Sequence, residues 1–227
     1  MKPAERIDLF FFVILHNFAK IFLWFYFRIL FFTNIIDSKN VPSKGGFIAA
    51  ANHSSFFDPP LIGIITWRRM FRFMARDTLF KFPVWGSFLR YLGAIPIKRA
   101  TVDRTAWDKV ISTVQDGHIV SLFPEGTRTL DGEIHPGKAG TGMLVYKSKC
   151  RVIPLYIHGT YKAWKKTQLL PMPFNKMDII CGEPLSFEEQ FKKEDTKETY
   201  IEITTVIMAE INRLKAKYLA EYGKKAK

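Results

Sequence analysis

The chain has 227 residues, 48% of them apolar, which suits a single domain with a sizeable core and argues against disorder. Lysine and arginine outnumber aspartate and glutamate by 34 to 21, a formal charge of +13, so the expected partners are anionic: nucleic acid, acidic lipid headgroups, or phosphorylated and CoA-type substrates. Two cysteines, Cys150 and Cys181, exclude a disulfide scaffold and a four-cysteine zinc site; set in apolar runs, both are expected to be buried in a reducing compartment.

Residues 7–36 are rich in phenylalanine, leucine and isoleucine. Glu5 and Asp8 do not fit the basic leader of a signal peptide, and no small-residue cleavage site comes after the apolar stretch. A spanning helix needs about 20 largely uncharged residues, and His16, Asn17, Lys20 and Arg28 interrupt the run. His16, Lys20 and Arg28 fall at multiples of four, which puts a narrow polar stripe on one helix face. The expected state is a helix, or bent helix pair, lying in the membrane interface with its cations on that stripe. A single span with Arg28 snorkelling and a helix buried in a partner are the alternatives.

Pro42 to Gly46 is a turn cluster that separates this segment, with a short strand, from the remainder of the chain. Strands are expected over 47–51, 72–75, 94–97, 119–123, 152–157 and 177–181. Helices are expected from Pro59 and over 84–92, 101–115 and 139–148. From Lys197 to Tyr222, Ile203, Ile207, Ile211, Leu214 and Tyr218 recur at helical spacing, the mark of an amphipathic helix on a sheet. The end, Lys224 to Lys227, is expected to fray. This alternation predicts an α/β fold: a mixed, largely parallel sheet flanked by helices, with an N-terminal aromatic membrane-associating helical segment over 1–36 and the α/β domain over 37–227. Pro96 and Pro154 place their strands at an edge or a bulge.

Candidate chemistry gathers where these strands end. His53 and Asp58 are separated by Ser54-Ser55-Phe56-Phe57, directly after the strand 47–51. An imidazole held by a carboxylate takes a proton near neutral pH. On a straight helix the two would point about 140° apart, so they meet only if a turn or helix start lies between them. The alternative is plainer: Asp58 as N-cap of the helix at Pro59, and His53 as a polar residue at a strand end. After the strand 119–123 comes Pro124-Glu125-Gly126-Thr127-Arg128, whose glycine permits a tight backbone and whose arginine offers a planar fork for phosphate. Lys98 and Arg99 end another strand, and Lys138 opens a helix. Taken singly, each of these reads as a turn with surface charge; together, at strand ends and a helix start, they supply a base, a carboxylate and cations. Lys162, Trp164, Lys165 and Lys166 form a basic-aromatic patch, suited to anionic lipid or to an ordinary exposed loop.

In order, Asn-His-x-x-x-x-Asp at 52–58, Gly-x-Ile-x-Ile-Lys-Arg at 93–99, Phe-Pro-Glu-Gly-Thr-Arg at 123–128 and Val-Ile-Pro-Leu at 152–155 resemble the four blocks of the glycerolipid acyltransferases. The branch most similar is that of the lysophosphatidate (1-acylglycerol-3-phosphate) acyltransferases, and the resemblance covers roughly residues 35–185. It implies that His53 is the general base on a free glycerol hydroxyl, with Asp58 orienting its ring. It further implies that Glu125, Gly126 and Thr127 shape the acceptor pocket, that Arg128 holds the acceptor phosphate, and that Lys98 and Arg99, or Lys138, add positive charge. The implied donor is acyl-CoA or acyl carrier protein, used as a substrate, with no cofactor and no metal. The expected partners are lysophosphatidate and an anionic lipid membrane on its cytoplasmic face, and no nucleic acid. Three rival readings stand beside this one: an acyltransferase for another lysolipid or glycerol 3-phosphate, a lipid hydrolase using Ser54 or Ser55, and a non-catalytic binding module.

Overall fold

Seven short apolar runs line up as one sheet. The computed structural model describes residues 3–98 and 103–223; Arg99, the expected helix start at Thr101 and the Lys224 to Lys227 end lie outside the described residues. The strands are β1 (Asn34–Ile36), β2 (Phe47–Ala51), β3 (Phe71–Arg76), β4 (Ile95–Ile97), β5 (Ile119–Leu122), β6 (Arg151–His158) and β7 (Asp178–Cys181). The helices are α1 (Pro3–Leu30), α2 (Asp58–Gly63), α3 (Pro83–Tyr91), α4 (Arg104–Gln115), α5 (Ala139–Ser148), α6 (Thr160–Trp164), α7 (Glu188–Phe191) and α8 (Lys197–Glu221). The sheet order is β1-β7-β6-β2-β5-β3-β4. Strands β6, β2, β5, β3 and β4 run parallel, and the β6–β7 pair is antiparallel.

Parallel strands covered on both faces read as continuous apolar runs. Accordingly β2, β5 and β7 are buried at every position. Their alternate residues supply two cores. Ile48, Val120, Val152 and Ile180 pack with the buried faces of α4, α5 and α8, whereas Phe47, Ala49, Ile153 and Ile179 pack with α1 and α2. The five apolar residues expected on α8 are all buried. Helices α5 and α8 touch so closely that a Cβ on Gly142 would lie 1.9 Å from the Tyr200 carbonyl oxygen.

Both prolines sit where a missing N–H is tolerated. Pro96 is in the edge strand β4. Pro154 lies between the Leu155–Cys181 pair and the Val152–Leu185 bridge, where two residues of β6 face three of the partner segment, a bulge.

The N-terminal helix meets the body along part of its polar stripe. Lys20 is buried and donates to the carbonyls of Thr66 and Arg69, and Arg28 donates to the Thr33 carbonyl and the Asn34 side chain. Lys20 therefore faces the body and Arg28 stays exposed beside the start of β1, while Phe18, Ile21, Phe22, Phe25 and Ile29 face outward. Carbonyls that no strand or helix uses attract the Lys20 ammonium inward. Asn34–Ile36, at the end of the greasy run, is a strand of the sheet, paired with β7. Among the described residues no helix is long and apolar enough to cross a membrane.

Candidate active site

Because β2, β5, β3, β4 and β6 are parallel, the segments that come after them emerge on one edge of the sheet. Open α/β sheets place their sites at such carboxyl ends. His53 comes after β2, Glu125 to Arg128 after β5, Lys98 after β4 and Thr160 after β6.

The turn after β2 is built by side chains that substitute for backbone. The Asn52 amide pairs with the backbone N–H and C=O of Ile157, at 2.8 and 3.0 Å, and extends the β2–β6 pairing one residue past the strand. The chain then folds back so that Asp58 Oδ2 accepts from the Ser54 N–H and the Ser55 N–H, each at 2.7 Å, and from His53 Nδ1 at 2.8 Å. Asp58 Oδ1 accepts from the Thr160 hydroxyl at 2.7 Å. A buried carboxylate is stable only when its lone pairs are used, and here four donors use them. Asp58 thus braces the turn before it instead of capping the helix behind it, so of the two sequence readings the paired one matches the geometry. Since a carboxylate only accepts, Nδ1 carries the hydrogen of this bond, which in the neutral ring leaves the lone pair on Nε2.

His53 is held from every side. Phe123 stacks on its ring, with centroids 3.8 Å apart and planes 14° apart. Glu125 Oε1 accepts from the His53 N–H at 2.8 Å, and the Thr129 N–H donates to the His53 carbonyl at 2.9 Å. Glu125 also accepts from the His135 N–H, at 3.2 Å. Burial pushes the Glu125 carboxyl above its ordinary range, while these two N–H donors pull in the opposite sense. The loop after β5 is therefore bolted to the histidine backbone through Glu125 and Thr129.

Arg128 lies over the Phe56 ring, its guanidinium carbon 3.5 Å from the centroid, and Phe56 packs on Trp164 at 4.8 Å. Such stacking fixes the orientation of a planar cation. Gly126 is left-handed, with φ of 73°, and a Cβ there would meet the Lys138 side chain at 3.2–3.4 Å. Lys138 also donates its N–H to the Pro124 carbonyl, which seats the amino end of α5 against this turn. Thr127 is exposed beside it.

The fold thus brings together His53, Asp58, Glu125, Gly126, Thr127, Arg128 and Lys138. Lys98 stands on the same edge but at the end of β4, three strand spacings or roughly 14 Å from β2, with its N–H on Asp103. Ser54 and Ser55, the serines a hydrolase would use, have their hydroxyls engaged with Thr160 Oγ1 and with the Trp164 carbonyl. His118 is a strand-start residue, His135 pairs with Asp131, and His158 contacts Tyr156 and Tyr218. Among the described residues no group of His, Cys, Asp and Glu could hold a metal ion. Sequence reasoning passed over Thr160, which lies 102 positions from Asp58. Its one local signal was its place after a glycine at the carboxyl end of a strand. Phe123 and Thr129 lay within or beside a recognised block, but nothing there revealed stacking or a backbone bond to His53.

A family model described as Acyltransferase matches residues 33–158, more than half of the chain. The 1-acyl-sn-glycerol-3-phosphate acyltransferase of Bacillus subtilis is 28% identical over 81% of this chain and 88% of its own length. A chloroplastic 1-acyl-sn-glycerol-3-phosphate acyltransferase of Brassica napus is 31% identical over 57% of this chain, which spans only 38% of that longer protein. Among solved structures, the 1-acyl-sn-glycerophosphate acyltransferase PlsC of Thermotoga maritima superposes with a TM-score of 0.68, at 28% identity, covering 95% of this chain and 84% of that one.

Proposed function

Since the chain belongs to the Acyltransferase family, we propose that it moves a fatty acyl group from acyl-CoA or acyl carrier protein to the free hydroxyl of 1-acyl-sn-glycerol 3-phosphate, giving phosphatidate. The observation that carries this reading is the His53–Asp58 pair, bound at 2.8 Å and joined through the His53 backbone to the loop that bears Arg128.

In this reading Nε2 of His53 takes the hydroxyl proton as the glycerol oxygen attacks the thioester carbonyl. The tetrahedral intermediate collapses, the carbon–sulfur bond breaks, and the proton passes from His53 to the departing sulfur. Asp58 keeps the ring in the correct tautomer and stabilises the imidazolium. A positioned base contributes roughly 10²–10⁴-fold. Arg128 and Lys138 hold the acceptor phosphate, and Glu125, Gly126 and Thr127 shape the pocket around it. Lys98, farther along the sheet edge, suits the phosphates of the donor, as does Arg99 next to it in sequence.

The lipid substrate fits the outward face of α1. A row of Phe18, Phe22, Phe25 and Ile29 would lie in the interface of the cytoplasmic leaflet and hold the enzyme monotopically beside its acceptor. The test is thiol release from acyl-CoA with and without lysophosphatidate: release that requires the acceptor, with phosphatidate as product, is the expected result. Release of free fatty acid without an acceptor would favour hydrolysis, and preference for another lysolipid would move the acceptor assignment.

A further inference from the structure

The segment from Leu169 to Phe174 carries four large apolar side chains turned to solvent: Leu169 is 89% exposed, Leu170 72%, Met172 53% and Phe174 68%. Monomeric proteins rarely leave such a cluster uncovered on a loop. This loop is also fixed at both ends. The Phe174 N–H donates to the Leu30 carbonyl at 2.8 Å and the Met177 N–H to the Phe31 carbonyl at 3.0 Å, which ties the loop to the end of α1, where Ile29 and Phe32 are exposed. On the other side the Met172 N–H donates to the Ala163 carbonyl at 2.7 Å, and the Trp164 indole donates to the Gln168 carbonyl.

We infer that the Leu169–Phe174 loop is a second membrane-inserting element, seated in the interface of an anionic bilayer and continuous with the outward face of α1. Two features choose a lipid surface over another protein. The span from Gly159 to Met177 contains Lys162, Lys165, Lys166 and Lys176 and no aspartate or glutamate; Lys176 pairs with the buried Asp178 at 3.3 Å, and Lys162, Lys165 and Lys166 give the segment before the apolar tip a net positive charge. The loop also adjoins the apolar row of α1, since Phe174 is bound to the Leu30 carbonyl beside the exposed Ile29 and Phe32.

The position of the loop gives it a task. Trp164 packs on Phe56, and Phe56 carries the Arg128 guanidinium. The Ser55 hydroxyl is bound to the Trp164 carbonyl at 2.7 Å. One aromatic stack therefore separates the inserted tip from the cation assigned to the acceptor phosphate, and insertion sets that cation at headgroup depth. A lysophospholipid then presents its phosphate and free hydroxyl to the site without leaving the bilayer. This task rests on the proposed acyltransferase reading; the insertion itself does not.

The test separates the two. In the full-length protein Leu170→Cys, labelled with an environment-sensitive fluorophore while Cys150 and Cys181 stay buried, is mixed with vesicles of phosphatidylglycerol and phosphatidylcholine. A blue shift that is quenched by nitroxides on the upper acyl carbons is expected. A protein that floats with the vesicles while the probe stays in water overturns the inference. So does a shift that appears on raising the protein concentration without vesicles, which marks a second copy as the occupant. In parallel, Leu169→Ser/Leu170→Ser should lose about tenfold in turnover of acceptor presented in vesicles, yet match wild type on a short-chain acceptor dissolved as monomers. Unchanged turnover of the vesicle-bound acceptor overturns the task assigned to the loop. If the wild type turns over no acceptor at all, the acyltransferase reading fails and the fluorescence result stands unaffected.

Discussion

At the scale of single residues, the site depends on groups that touch no substrate. Thr160 gives its hydroxyl hydrogen to Asp58 Oδ1 and shares a hydrogen bond with Ser54 Oγ. Thr160→Val keeps the volume and strands a buried carboxylate oxygen, a loss of about 1–3 kcal/mol. The expected outcome is a fall of about tenfold in kcat with KM little changed, because in the proposed mechanism Asp58 acts only through His53. Thr160→Ser should restore the rate; if the valine and serine variants behave alike, the hydroxyl has no part in positioning. Arg128→Ala should act on the other kinetic constant. Removing a charge-assisted contact worth about 1.5–3 kcal/mol raises the acceptor KM by roughly 10–100-fold. An unchanged acceptor KM would place the phosphate elsewhere. His53, Asp58, Glu125 and Arg128 were legible in the sequence because each lies in a short block at a strand's end. Thr160 and the Phe123 stack were not, since contacts between different crossovers of a sheet leave no local pattern.

Among the elements, most of the fold could be read from periodicity. The run 139–148 is α5 with the bounds expected, and the α8 stripe is buried as its spacing required. Orientation was harder to read. His16, Lys20 and Arg28 define a stripe, but the stripe alone does not say whether it meets water, headgroups or carbonyls. Lys20 meets the carbonyls of Thr66 and Arg69, and burial pushes its ammonium down to about 8. A lysine whose folded pKa is depressed costs stability while it is charged. As pH rises from about 8 toward 10.5, the unfolded chain binds more protons than the folded one at this position, so stability rises with pH. Wild type should therefore gain on Lys20→Met over that window in paired thermal melts. A difference that stays flat with pH would mean that Lys20 is not buried against the body, and the docking of α1 would need revision.

For the whole molecule, the proposed membrane attachment draws on both net charge and exposed apolar surface. A net charge of +13 with exposed Phe22 and Phe25 on α1 predicts binding to anionic vesicles that weakens as salt rises yet does not vanish, since the apolar contribution is unscreened. Phe22→Ser/Phe25→Ser should remove the salt-resistant part in a flotation assay, and retention of that part would shift attachment away from α1. The sheet would give the proposed attachment a direction, because the parallel strands deliver His53, Arg128 and Lys138 to one edge and α6 links that edge to the loop beside α1. The central claim is that the imidazole held by Asp58 is the base in acyl transfer. Its most direct measurement is thiol release from acyl-CoA in the presence of vesicle-borne lysophosphatidate, comparing wild type with His53→Ala at equal amounts of bound protein. Loss of roughly 10²–10⁴-fold in the variant, with vesicle binding intact, is the predicted result; release at the wild-type rate by His53→Ala would contradict it.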